Sequence, residues 1–97
     1  MADKKLDYTI FIGRKPVMSY VLAVITQLNQ GEEKIALIRA RGRNISKAVD
    51  VAEIVRQRFM KDQADVKNIE IGSEIIKEDG GARERNVSTI DILVGRN

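Results

Sequence analysis

The chain has 97 residues, 43% hydrophobic and 32% charged, which suits one soluble globular domain spanning 1–97 and argues against disorder. It contains no cysteine and no histidine. Disulfides, thiolate metal sites and the usual acid–base group near neutral pH are thereby excluded. Its fourteen carboxylates show no metal-loop spacing, so neither enzymatic activity nor a cofactor or metal is expected.

The net charge is +3 but unevenly placed. Residues 1–47 hold nine Lys/Arg against four Asp/Glu, and residues 48–97 hold eight against ten. A cationic half favours polyanionic partners through steering and counterion release. The opening MADKKLD is charged and has no signal-peptide core. The longest uncharged stretch, Pro16–Gly31, is too short and too polar to span a bilayer. An intracellular protein without a membrane partner is expected.

Tyr8-Thr9-Ile10-Phe11-Ile12 is β-branched and aromatic and ends at Gly13, which predicts a strand. Arg14-Lys15-Pro16 follows, with proline suited to a first helical turn. Val17, Tyr20, Val21, Val24, Ile25 and Leu28 then recur at helical spacing, with Gly31 as the stop. Ile35-Ala36-Leu37-Ile38 predicts a central strand covered on both faces.

Ala40-Arg41-Gly42-Arg43-Asn44 is read as a loop, after which Asn44 or Ser46 caps a second helix running to about Met60. Its apolar stripe is Ile45, Val49, Ala52, Val55 (or Ile54) and Phe59. Val66–Lys77 predicts a long strand whose alternation slips near Gly72-Ser73, as at a bulge. Residues 78–86 form a charged, glycine-bearing hairpin loop, and Val87–Val94 alternates as the last strand.

The expected fold is α+β: a βαβαββ domain with a mixed four-stranded sheet and two helices on one face.

Two cationic segments each join a strand to a helix N-terminus. Gly13-Arg14-Lys15-Pro16 places two cations where free N–H groups and the helix dipole already favour phosphate. In Arg39-Ala40-Arg41-Gly42-Arg43 the arginines alternate, so in extended backbone they share a side, and Lys47 lies one turn into the helix. In this element order both junctions lie at the carboxyl ends of parallel strands, on one edge of the molecule. Lys77, Arg83 and Arg85 add cations at the hairpin, offset by Glu78, Asp79 and Glu84.

At Arg58-Phe59 two readings compete, a core phenylalanine or an exposed protein contact. The stripe through Ile45, Val49 and Val55 favours the core. With two Phe and two Tyr, base stacking is not expected to dominate, so backbone contact is favoured.

Residues Ile12–Val21 (IGRKPVMSYV) and Ile38–Asp50 (IRARGRNISKAVD) resemble the two signature motifs of the Alba family of archaeal chromatin proteins. Glu53–Phe59 and Val87–Ile90 continue the likeness, which covers nearly the whole chain in order. The resemblance implies a fold similar to the C-terminal domain of a bacterial translation initiation factor. It implies a homodimer that binds double-stranded DNA, and RNA, with little sequence preference, in the cytoplasm on the chromosome. An RNA-binding subunit of a ribonucleoprotein is the alternative.

By the same resemblance the family's basic pair falls on Arg14 and Lys15, its arginine loop on Arg41 and Arg43, and its hairpin arms carry Arg83 and Arg85; the residue pattern itself adds Arg39 and Lys47 to the expected contacts. Arg58 and Phe59 fall at a contact between neighbouring dimers, against the core reading above. The family commonly has two lysines before the proline, where acetylation weakens binding. This chain has Arg14 first, so Lys15 alone could be acetylated there. The hairpin is also more acidic than the family pattern leads one to expect.

Overall fold

In the computed structural model, which describes residues 8–97, the β-branched run Thr9–Phe11 forms β1. The charged opening segment, read above as lacking a signal-peptide core, lies outside the described residues. The chain continues through α1 (Val17–Gln30), β2 (Ile35–Arg41), α2 (Ile45–Ile54), β3 (Ala64–Glu78) and β4 (Arg83–Arg96). This is the expected βαβαββ order. The four strands lie in the order β1-β2-β4-β3, with β1 parallel to β2 and β4 antiparallel to both of its neighbours.

Period-two alternation decides which face is covered. Ala36, Ile38 and Ala40 of β2 are buried with Ile90, Ile92 and Val94 of β4, under Val21, Val24 and Leu28 of α1 and Ala48, Val51 and Ala52 of α2. The intervening Ile35, Leu37 and Arg39 are half-exposed. The expectation that β2 is covered on both faces is therefore corrected. The core lies on one side only, and the other face of the sheet carries no helix among the described residues.

Proline and glycine punctuate α1 much as expected. Pro16 is its N-cap residue, and the Gly31 N–H donates to the Gln27 carbonyl 2.9 Å away at its end. At α2 the expected side-chain cap is absent. Asn44 occupies the N-cap position without a capping bond, after a 3-10 turn over Gly42–Asn44.

The end of α2 departs further. Val55–Phe59 is a π-turn, closed by the Met60 N–H on the Val55 carbonyl at 2.7 Å. One extra residue in the turn carries Met60, five positions after buried Val55, into the core. Phe59 is displaced outward to 48% exposure, and Val49 is 42% exposed. The core reading of Phe59 is thus overturned by backbone register.

The bulge in β3 is also relocated. The slip against β4 falls between Val66 and Asn68, not at Gly72-Ser73. It changes the phase of alternation, so Val66, opposite Val94, shares the helix side with Ile69 and Ile71, opposite Ile92 and Ile90. The hairpin strands run longer than expected, pairing out to Glu78 and Arg83 around a short turn. Because β2 pairs with β4 only from Thr89 to Gly95, the hairpin from Ser73 to Ser88 projects past the sheet as an arm.

Candidate nucleic-acid interface

The two cationic junctions come together as the topology requires. The first follows β1, the second follows β2, and these strands are parallel. The arm leaves the same end, since Arg41 at the end of β2 is opposite Thr89, and β4 runs outward from there towards Arg83. Arg14, Lys15, Arg41 and Arg43 are all exposed. Arg14, Lys15 and Arg43 form no ion pair among the described residues.

Hydrogen bonds fix the spacing of the two loops. Lys47, from the first turns of α2, donates through Nζ to the Gly13 carbonyl at 2.7 Å and the Lys15 carbonyl at 3.1 Å. The Tyr20 hydroxyl of α1 accepts the Gly13 N–H at 2.8 Å and the Lys15 N–H at 3.1 Å. A Cβ on Gly13 would lie 3.3 Å from that hydroxyl, tighter than an ordinary contact, so the smallest residue suits the approach. Lys47 Nζ also stands 5.9 Å from the Tyr20 ring centroid.

Tyr20 and Lys47 therefore hold the cationic loop by its backbone and leave the Arg14 and Lys15 side chains outward. Sequence reasoning placed Tyr20 in the apolar stripe only. Its signal was a hydroxyl on a buried helix face, which needs a partner when buried.

Gly42 has φ +59°, a left-handed conformation that sets the turn between Arg41 and Arg43. Neither α-helix has a side-chain cap bond or an acidic residue in its first turn. Both N-termini keep their positive dipole ends uncompensated beside the cations, an arrangement that favours anions.

Four of the expected contacts already have carboxylate partners within the chain. Arg39 is half-exposed on the helix-free face and makes two bonds to Asp91, at 2.8 and 3.0 Å. That hydrogen bond raises the guanidinium pKa, outweighing the opposing effect of desolvation. Arg39 stays charged but serves the sheet. Arg41 Nη1 lies 2.9 Å from Glu74 Oε1, with its side chain 61% exposed. On the arm, Arg83 lies 4.0 Å from Asp79 and Arg85 lies 3.2 Å from Glu78. These exposed pairs are each worth about 0–1 kcal/mol and leave the arginines available to a competing anion.

Arg58 and Phe59 do not join this edge. They lie thirteen and fourteen residues beyond the start of α2, roughly 20 Å along its axis. Nearby, Arg56 is held by Glu53 at 2.7 Å, and its pKa is raised chiefly by that hydrogen bond. No helix among the described residues is long and apolar enough to cross a membrane.

Comparison with known proteins gives a consistent result. The family model described as Alba matches residues 8–73. The DNA/RNA-binding protein Alba 1 of Archaeoglobus fulgidus is 53% identical over 90 residues, covering 93% of this chain and 97% of that protein. The structure of Alba from Thermoplasma volcanium superposes with a TM-score of 0.80 at 45% identity, over 91% of this chain and 99% of that one. The crystal structure of the Trypanosoma brucei Alba 1 protein shares the fold, with a TM-score of 0.72 at 22% identity. It matches 92% of this chain and 68% of its own.

Proposed function

Because this chain belongs to the Alba family, we propose that it acts as one domain over residues 1–97 that binds double-stranded DNA through the phosphate backbone, with little dependence on sequence. The observation that carries this reading is the shared edge. Arg14 and Lys15 stand beside Arg41 and Arg43, with Lys47 bridging the loops and two uncapped helix N-termini behind them. Arginines and lysines so placed meet phosphate oxygens, which position a protein on a duplex without reading bases. This is binding chemistry, not catalysis. Lys15 is the one lysine of that loop whose acetylation would remove a phosphate contact.

The working unit is a homodimer in the cytoplasm, on the chromosome. Ile69 (55%), Ile71 (82%) and Ile75 (64%) of β3 are exposed on the helix side of the sheet, beyond the reach of this chain's own helices. Such a row suits burial against a second copy. Arg83 and Arg85 extend the grip along the arm, and Arg58 with Phe59 supports contacts between neighbouring dimers.

Affinity measured against salt tests the reading. With roughly six phosphates contacted per dimer, log affinity should fall against log salt with a slope near −5. Changing Arg41 and Arg43 to Ala should weaken binding about equally on all duplex sequences. A slope near zero, or a change of sequence preference, would remove the backbone mechanism. RNA is the second target, favoured because the Archaeoglobus relative is named a DNA/RNA-binding protein. A ribonucleoprotein subunit would prefer structured RNA to duplex DNA in competition at equal salt.

A further inference from the structure

The helix-free face of the sheet presents a second surface of different chemistry. Phe11, the last residue of β1, is 59% exposed there. It is held by the ladder rather than by packing: Phe11 is register partner to Arg39, and the next amide, Ile12 N–H, donates to the Arg39 carbonyl at 2.9 Å. Arg39 is in turn register partner to Asp91, whose two hydrogen bonds fix its guanidinium 5.9 Å from the Phe11 ring centroid. A cleft of about 650 Å³ opens at this row, bordered by Phe11, Arg39, Arg41, Glu74, Thr89 and Asp91.

We propose that this cleft binds an unpaired nucleobase of a single strand, stacked on Phe11, while the strand's phosphates run over the Arg14–Lys15 and Arg41–Arg43 edge. The inference rests on the nucleic-acid reading above and adds a ligand class that a duplex cannot supply. Bases inside a duplex have both faces occupied by their neighbours, whereas an extruded or single-stranded base can stack on an exposed ring.

Charge separates base from phosphate here. Arg39, the guanidinium beside the ring, is matched by Asp91 through two hydrogen bonds, so this part of the face is close to neutral and compensates a phosphate less well than the edge does. The same groups suit a base edge: guanidinium N–H groups donate to ring carbonyls, and carboxylates accept ring N–H and amino groups. Continuity of chain supplies the path. Phe11 precedes Gly13 by two residues, so a strand crossing the edge places its backbone on the loop cations and its base over the ring.

The test uses the full chain with a 12-nucleotide single strand carrying 2-aminopurine, and with the matching unlabelled duplex. Binding should quench 2-aminopurine emission. Phe11→Ala should abolish the quench and weaken single-strand affinity roughly 5- to 150-fold, with duplex affinity held within twofold. Phe11→Trp should retain both the quench and the affinity, which guards against a folding defect in the alanine variant. Equal loss on single strand and duplex, or no loss on either, would overturn the proposal. So would a Phe11→Ala chain that turns from dimer to monomer, since the face would then belong to a second copy. Failure of the duplex reading itself would appear separately, as duplex affinity indifferent to Arg41→Ala and Arg43→Ala.

Discussion

Arg41 and Glu74 meet at 2.9 Å across the intervening strand β4, so an arginine of the cationic edge is held by a carboxylate of the same chain. The pair is mostly exposed, and in the proposed backbone contact a phosphate competes with Glu74 for the guanidinium. Glu74→Gln removes both the competing ion pair and a negative charge beside the nucleic acid. An exposed pair is worth about 0.2–1 kcal/mol, so duplex affinity should rise roughly 1.5- to 5-fold, with little change in melting temperature. Fluorescence anisotropy at low salt measures this, and weaker binding by the variant would show that Glu74 positions Arg41 instead of competing for it.

Lys47 and Tyr20 are predicted to act on the loop, not on the ligand. Tyr20→Phe strips the acceptor from two partly buried N–H groups, those of Gly13 and Lys15. Leaving such donors without their partner costs about 1–3 kcal/mol, and each kcal/mol lowers the melting temperature by roughly 4–8 °C in a domain of this size. Lys47→Met removes the bridge to the two carbonyls and should lower melting temperature and affinity together while leaving the salt slope unchanged. A slope that becomes shallower by about 0.9 per protomer would instead place Lys47 directly on a phosphate.

How far the site was legible follows from how local each signal is. The basic loops could be read because strand, cation run and helix start are consecutive, and the parallel order of β1 and β2 then sets them on one edge. The carboxylates that answer the arginines could not, because Glu74 and Asp91 lie 33 and 52 residues away and meet Arg41 and Arg39 only through strand register. Phe59 was misplaced because helical spacing assumes a constant pitch, and the π-turn at Val55–Phe59 changes it. The β3 slip was assigned to glycine, the usual marker of a bulge. The phase of the apolar residues, even at Val66 and odd at Ile69 and Ile71, carried the answer. Composition set base stacking aside, yet where an aromatic stands matters more than how many there are, and Phe11 stands on an open sheet face.

Phe59 offers a clean separation of folding from assembly. At 48% exposure its side chain adds little to the core, whereas Val55, four positions earlier, is fully buried. Phe59→Ala should therefore change stability by less than about 1 kcal/mol, against about 1–3 kcal/mol for Val55→Ala. If Phe59 joins neighbouring dimers, the same variant should bind an isolated short duplex normally but lose cooperative coverage of long DNA. Sedimentation of protein–DNA complexes at rising protein ratios reads this, and unaltered cooperativity would leave Phe59 without that role.

The arm tests whether arginines already paired to carboxylates still reach nucleic acid. Arg83 and Arg85 lie six and four residues beyond Thr89, the last β4 residue paired to β2. At about 3.3 Å per residue they stand roughly 20 and 13 Å past the sheet edge. Their partners Asp79 and Glu78 hold them weakly, because the pairs are exposed and screened by salt. Phosphate should therefore displace the carboxylates. Changing both arginines to Ala should make the salt slope shallower by about 1.8 per engaged arm and weaken binding uniformly across sequences. Melting temperature should hold, since both side chains lie outside the core. An unchanged slope would confine the grip to the edge loops and show that Glu78, Asp79 and Glu84 neutralise the arm.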